Sequence, residues 1–185
     1  QLEVLKLRGG SGLQFTPVRH YQLKKLIIQT GGLSSETISQ IWALHLPALE
    51  HLELWLGSDN YGGDSGVYTL RPLLDIQLFC ELNYLGLRNS EYSDEIAKAI
   101  VHAPIIEQIK VLDLSMGTLS DEGGQVLLSS PAVKRLQTLD VSENFLSEAM
   151  INQLNQLNIE VLAEAQKEEE DEEYYGSSRY CSVAE

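Results

Sequence analysis

The chain is poor in cysteine, in aromatic residues and in positive charge. Of its 185 residues two are Cys, two Trp and three Phe, and 13 Lys and Arg stand against 27 Asp and Glu, a formal net charge of −14. Cys80 and Cys181 form no spaced pair, so no disulfide framework is expected and a reduced, cytoplasmic setting fits. Cys80, beside Phe79 at an apolar helix end, reads as a buried free thiol. The acidic balance repels phosphate backbones, which excludes nucleic acid as a natural partner. No apolar run approaches the roughly 20 residues needed to span a bilayer, and the sequence carries no secretory signal, so no membrane partner is expected. The P-loop pattern and the dinucleotide fingerprint are both missing. No nucleophile and base stand at a credible spacing, and no cofactor is expected. His45 and His102 precede prolines near helix ends, where a structural role fits best.

Leucine in a fixed pattern is abundant instead. The pattern L-x-x-L-x-L-x-x-N runs through the chain in degenerate copies starting at Leu2, Leu23, Leu49, Leu82, Ile109 and Leu136, with a weaker one at Asn158. "VLDLSMGTLSDE" and "TLDVSENFLSEA" align without a gap. Within each copy, positions 4 and 6 point inward from a short strand and positions 3, 5 and 7 point outward. Helical signals follow. Ser35, Ser93, Ser120 and Ser147 precede apolar residues at i, i+3, i+4 spacing, and Asp121 and Glu122 suit a first turn. Pro47, Pro104 and Pro131 stop the helices, while Thr69 and Pro72 start one whose core residues are Leu73, Leu74 and Leu78. Each unit is therefore strand, turn, helix, loop, and it buries its apolar side only against its neighbours.

The fold class expected is α/β: a right-handed leucine-rich-repeat solenoid, or horseshoe, with parallel strands on the concave face and helices on the convex one. Residues 1–165 form the repeat domain of about seven units. Residues 166–185 form an acidic linker and tail, of which Tyr180–Val183 is expected to dock on the C-terminal end of the core. The chain opens inside a repeat without a polar cap, so further sequence is expected N-terminally.

Repeats near 27 residues with true helices resemble the ribonuclease-inhibitor type. The stretches "LWLGSDNYGGD", "YLGLRNSEYSDEIAKAI" and "LDLSMGTLSDEG", with the acidic run ending in "SRYCSVAE", resemble one bacterial family of cytoplasmic leucine-rich-repeat proteins. The likeness covers most of residues 49–185. It implies a non-enzymatic scaffold, or alternatively a regulatory or accessory subunit of peptide-modifying or ATP-grasp enzymes.

Bottom-up, function should lie on the outward positions. The first four repeats place Lys6, Arg8, Lys25, His51, Trp55, Tyr84 and Arg88 there, and the last three place small and acidic residues. Aromatic residues beside Arg on a rigid sheet have the composition of an interface hot spot. Gly86, between Tyr84 and Arg88, would leave a hollow for a partner side chain. The seven residues are expected to bind a protein or peptide carrying an acidic segment, against the alternative that Trp55 and Tyr84 merely cover each other. The long third repeat adds the loop "GSDNYGGDSG". Asp59, Asn60 and Asp64 invite a calcium reading, but the closing Glu of an EF-hand loop is absent, and a partner-contacting loop fits better. Position 9 is Asn only at Asn144, so backbone or water should satisfy the glycine turns. Asp113 and Asp140, on equivalent positions of adjacent strands, could share a proton or a cation. A carboxylate- or metal-dependent enzyme is the third class that this leaves.

Overall fold

A computed structural model describes the backbone of residues 2–10, 12–172 and 176–183. Glu173 of the acidic run, Tyr174, Tyr175, and the terminal Ala184 and Glu185 of the tail motif lie outside the described residues. The elements follow in order: β1 Val4–Arg8, β2 Lys25–Gln29, α1 Ser35–Trp42, β3 His51–Gly57, α2 Val67–Asp75, β4 Tyr84–Ser90, α3 Ser93–Ile100, β5 Val111–Asp113, α4 Asp121–Ser129, β6 Thr138–Asp140, α5 Glu148–Leu154 and β7 Glu160–Leu162. A short antiparallel pair, β8 Glu170–Glu172 and β9 Gly176–Ser178, comes last. The architecture is α/β. Seven strands make one all-parallel sheet in chain order, β1 to β7, with open edges. No helix among the described residues is long and apolar enough to cross a membrane.

The register explains the leucines. Leu5, Leu26, Leu52, Leu85, Leu112, Leu139 and Val161 stand opposite one another in a single row. Leu26, Leu52, Leu85, Leu112 and Leu139 are completely buried. Leu5 and Val161, on the outer strands, are only half-buried. Burying one Leu side chain contributes about 1.5–3 kcal/mol, while ordering each residue costs about 1–2 kcal/mol in backbone entropy. A three-residue strand such as β5 therefore persists only between packed neighbours. Helix residues Ile38, Ile41, Leu70, Leu73, Ile96, Ile100, Leu127 and Leu154 complete the same core.

The turns after the strands share a second regularity. Asn89, Met116, Glu143 and Ala165 all have positive φ, between 51° and 69°, and all occupy position 8 of their repeats. The left-handed conformation costs a non-glycine residue about 1–2 kcal/mol. What offsets it is a continuation of the ladder: the N–H groups of Asn89, Met116 and Glu143 donate to the carbonyls of Ser115, Ser142 and Glu164, one repeat further on. At position 9, Asn144 is fully buried; its amide donates to the Leu114 and Val141 carbonyls and accepts from the Leu119 N–H. Gln166 does the same work in the next turn, accepting from Leu146 N–H and donating to Val141. At Gly57, where glycine stands instead, backbone replaces the side chain. Gly57 has φ 70°, and a Cβ there would lie 1.7 Å from the Gly31 carbonyl oxygen, which accepts from Ser58 N–H.

Helix starts are linked from one repeat to the next. The Asp94 carboxylate accepts from the N–H and hydroxyl of Ser120, at 2.8 and 2.7 Å, and Asp121 accepts from the same two groups of Ser147 at the same distances. Three local expectations need correction. The cap of α1 is Ser34, whose hydroxyl accepts from Thr37 N–H, not Ser35. Ser93 is the first residue of α3, not its cap, and its hydroxyl donates to the Ser90 carbonyl. Helix α2 begins at Val67, and Pro72 lies inside it. The strand–helix alternation also fails at its first step: among the described residues of 9–24 there is no helix. That segment is held by side-chain and backbone bonds to α1 and its end, with Gln40 accepting from Phe15 N–H and His45 N–H donating to Val18.

Candidate functional site

The outward face is built by the same register. Glu53 on β3 pairs across with Gly86 on β4, and Gly86 with Asp113 on β5. Trp55 pairs with Arg88, and His51 lies between Lys25 and Tyr84. One glycine is thus flanked by two carboxylates, and the missing side chain lets them and a guanidinium converge. A Cβ at Gly86 would sit 3.2 Å from Glu53 Cγ and 3.2 Å from the Tyr84 ring. The expected hollow above Gly86 is accordingly filled by its own neighbours.

Arg88 is the hub. Its guanidinium lies 3.3 Å from Glu53 Oε1 and 3.3 Å from Asp113 Oδ2. Its Nε donates to Ser115 Oγ at 2.9 Å, and the group stands 5.5 Å from the centre of the Trp55 ring. The Trp55 indole N–H donates to Glu53 at 2.8 Å. The Tyr84 hydroxyl donates to Asp113, and its ring stacks on His51 at 3.8 Å and 9°. Trp55 is therefore no projecting anchor. It is only 9% exposed, because its one polar atom finds a carboxylate two residues back on the same face and Arg88 covers its ring. The aromatic pair that forms is His51 with Tyr84. Of the seven residues singled out from the sequence, His51, Trp55, Tyr84 and Arg88 come together. Lys25 borders them through His51, while Lys6 and Arg8 stay exposed on β1.

Glu53 and Asp113 are the residues that sequence reasoning passed over as ligands of this cluster. Both are buried. The signal was present: both occupy the central outward position of strands on either side of Gly86. Burial pushes the Glu53 carboxyl upward, but the His51 imidazole 3.6 Å away, the Trp55 N–H bond and the charge of Arg88 outweigh it and hold its pKa at about 2. Burial also opposes the Arg88 charge, which Asp113 and Glu53 more than restore. Burial first, and then the Asp113 charge, raise the pKa of the neighbouring Asp140.

These values set a pH dependence. An unfolded Glu titrates near 4.3; between that pH and about 2 the unfolded chain binds more protons at this position than the folded one. Stability from Glu53 is hence full above pH 5 and lost as pH falls towards 2, by about 2–3 kcal/mol. Denaturant unfolding of the protein and of Glu53→Gln between pH 6 and pH 3 checks this. The difference between the two should shrink as the solution is acidified, and a constant difference would refute it.

The remaining chemistry-bearing groups are dispersed. In the long loop Asp64 accepts from Ser35 N–H at the start of α1, at 2.6 Å, while Asp59 and Asn60 enter a 3-10 turn at 59–61. Among the described residues no group of three or more His, Cys, Asp or Glu could hold a metal ion. Asp113 and Asp140 are register partners as expected; Asp113 is engaged by Tyr84 and Arg88, and Asp140 accepts from Ser142 N–H. Cys80, read as buried, is exposed: the chain leaves α2 at Asp75, and only Phe79 of that pair turns into the core.

The C-terminal segment lies elsewhere than expected. Its described residues 179–183 run across the turns that follow β3 to β6. Arg179 donates to Asp94 Oδ2 and to the Thr118 carbonyl. Tyr180 meets Phe145 edge-on at 5.6 Å. Lys167 donates to the carbonyls of Gly117 and Tyr180 between those two rings. Ser182 N–H donates to Met116, and the Val183 N–H and carbonyl both bond to the Asn89 amide.

No family model matches the chain, and no curated protein matches it. Among solved structures it is similar to a crystal structure of a Bacteroides fragilis protein from a structural genomics programme. The two are 30% identical with a TM-score of 0.78 over 81% of this chain and 43% of the other. The chain thus spans less than half the length of the protein it resembles, and what the two share is an α/β arrangement with an all-parallel sheet.

Proposed function

We propose that the chain is a leucine-rich-repeat solenoid, curved as a horseshoe, that acts as a non-enzymatic, cytoplasmic protein-interaction module. It offers the sheet face opposite its helices to a protein or peptide partner. The observation that carries this reading is the ordered charge along that face. Lys6, Arg8 and Lys25 stand on β1 and β2, whereas Asp140, Glu160 and Glu164 stand on or just after β6 and β7. Between them lies a floor in which the one guanidinium of Arg88 is shared by two carboxylates, Glu53 and Asp113. An extended partner with an acidic segment would lie on the β1–β2 side and meet the half-buried edges of His51, Tyr84 and Arg88. Such a field speeds and orients encounter more than it strengthens the final complex.

The test uses a fluorescein-labelled peptide of six glutamates and one tyrosine at low salt. Reversing Lys6, Arg8 and Lys25 to Glu should weaken its binding by about tenfold or more, and reversing Glu160 and Glu164 to Lys should not weaken it. Equal affinity for both variants would reject the reading.

A further inference from the structure

The edge of the molecule where β3 to β6 end is built to hold an extended chain. Its contributing groups come from four successive turns: Gly57, Asn89, Met116 to Thr118, and Phe145. Asn89, Met116 and the nearby Lys167 address backbone. The Met116 carbonyl accepts from Ser182 N–H at 3.0 Å. Asn89 closes a two-point contact with Val183, accepting its N–H at 2.8 Å and donating to its carbonyl at 2.8 Å. Lys167 reaches the Tyr180 carbonyl at 2.6 Å. The others read side chains: the Thr118 carbonyl accepts from Arg179 at 2.8 Å and the Gly57 carbonyl faces Cys181 Sγ at 3.8 Å. The buried Asp94 carboxylate takes Arg179 at 2.9 Å, and Phe145 takes the Tyr180 ring.

Two features mark this edge as a receptor in its own right. Asn89 is wholly buried and held by a left-handed backbone, and both ends of its side-chain amide are spent on Val183. The amide thus presents one acceptor and one donor to a single extended residue, the pair that a free backbone N–H and carbonyl match. Asp94 is also held by two hydrogen bonds from Ser120 that do not involve Arg179, which favours a pre-organised arginine site. The occupant, by contrast, is only partly covered: Arg179 and Tyr180 are exposed, and residues 181–183 half-buried.

We propose that this edge is a peptide-binding groove. It recognises an extended segment with arginine followed by an aromatic residue and three residues of free backbone. The chain's own Arg179–Val183 fills it as a tethered occupant, which a partner segment of the same pattern displaces. The groove is separate from the sheet face and does not rest on that assignment.

A tethered segment competes at an effective concentration of about millimolar, so the chain must be tested with its own occupant weakened. The probe is a fluorescein-labelled peptide, Gly-Ser-Ser-Arg-Tyr-Ser-Ser-Val. The protein carries Cys80→Ser, leaving Cys181 to report by its rate of thiol labelling whether the tail is docked. Arg179→Ala should speed Cys181 labelling and tighten peptide binding by about tenfold or more, as expected when a charge-assisted contact of the competitor is removed. Adding Asn89→Asp should abolish peptide binding. Should that variant fold poorly, the same peptide with alanine for arginine serves instead and should not bind. The proposal is overturned if Arg179→Ala leaves Cys181 labelling unchanged, or if labelling accelerates while the peptide binds no more tightly than to the parent.

Discussion

Replacing Arg88 with methionine is expected to lower stability by about 3–5 kcal/mol, the usual cost of breaking a buried ion pair from one side. The loss exceeds that of an ordinary surface charge because of what stays behind. The Glu53 and Asp113 side chains are 8% and 4% exposed, and both lose their only guanidinium partner among the described contacts. Methionine retains much of the stem that covers Trp55, so packing is not the main term. Urea unfolding at pH 7 measures the effect. Combining Arg88→Met with Glu53→Gln should recover part of the loss, since one of the two stranded charges is then gone. A single variant within about 0.5 kcal/mol of the parent, the range of ordinary surface substitutions, would mean that the cluster is not the organising element described.

Leu112→Ala should cost about 2–5 kcal/mol, through lost burial and the cavity left behind. Leu112 is completely buried between Leu85 and Leu139, in the middle of the row. The same substitution at Leu5, half-buried on the edge strand β1 and paired on one side alone, should cost well under half as much. Each inner strand is held by neighbours on both flanks, so a central gap loosens two contacts and an edge gap one. Denaturation midpoints of the two variants give the comparison directly. A cost at Leu5 equal to that at Leu112 would contradict the row as the source of stability.

Much of the strand layer could be read from residue order. A period of two inside each copy, repeated at Leu26, Leu52, Leu85, Leu112 and Leu139, marks both the strands and the side they bury, because pleating alternates side chains whatever lies next to them. The helices at 121–129 and 148–154 were equally plain, since Ser120 and Ser147 cap them locally. The helix missing after β1 was not readable, because residues 9–24 carry no period of either kind. The site was read by composition and half misjudged. An outward Trp suggests an anchor, and only the partner across the register reveals that it is already covered.

By itself, then, the order of residues determined which positions face in, where parallel strands recur and where the chain turns, because those follow from backbone geometry within a few residues. Tertiary structure alone decided that Gly86 gathers Glu53, Arg88 and Asp113 into a closed cluster, and that Asn89 holds a segment 94 residues further along. Both depend on which strand lies beside which, in what register and at what distance, and no local period encodes that.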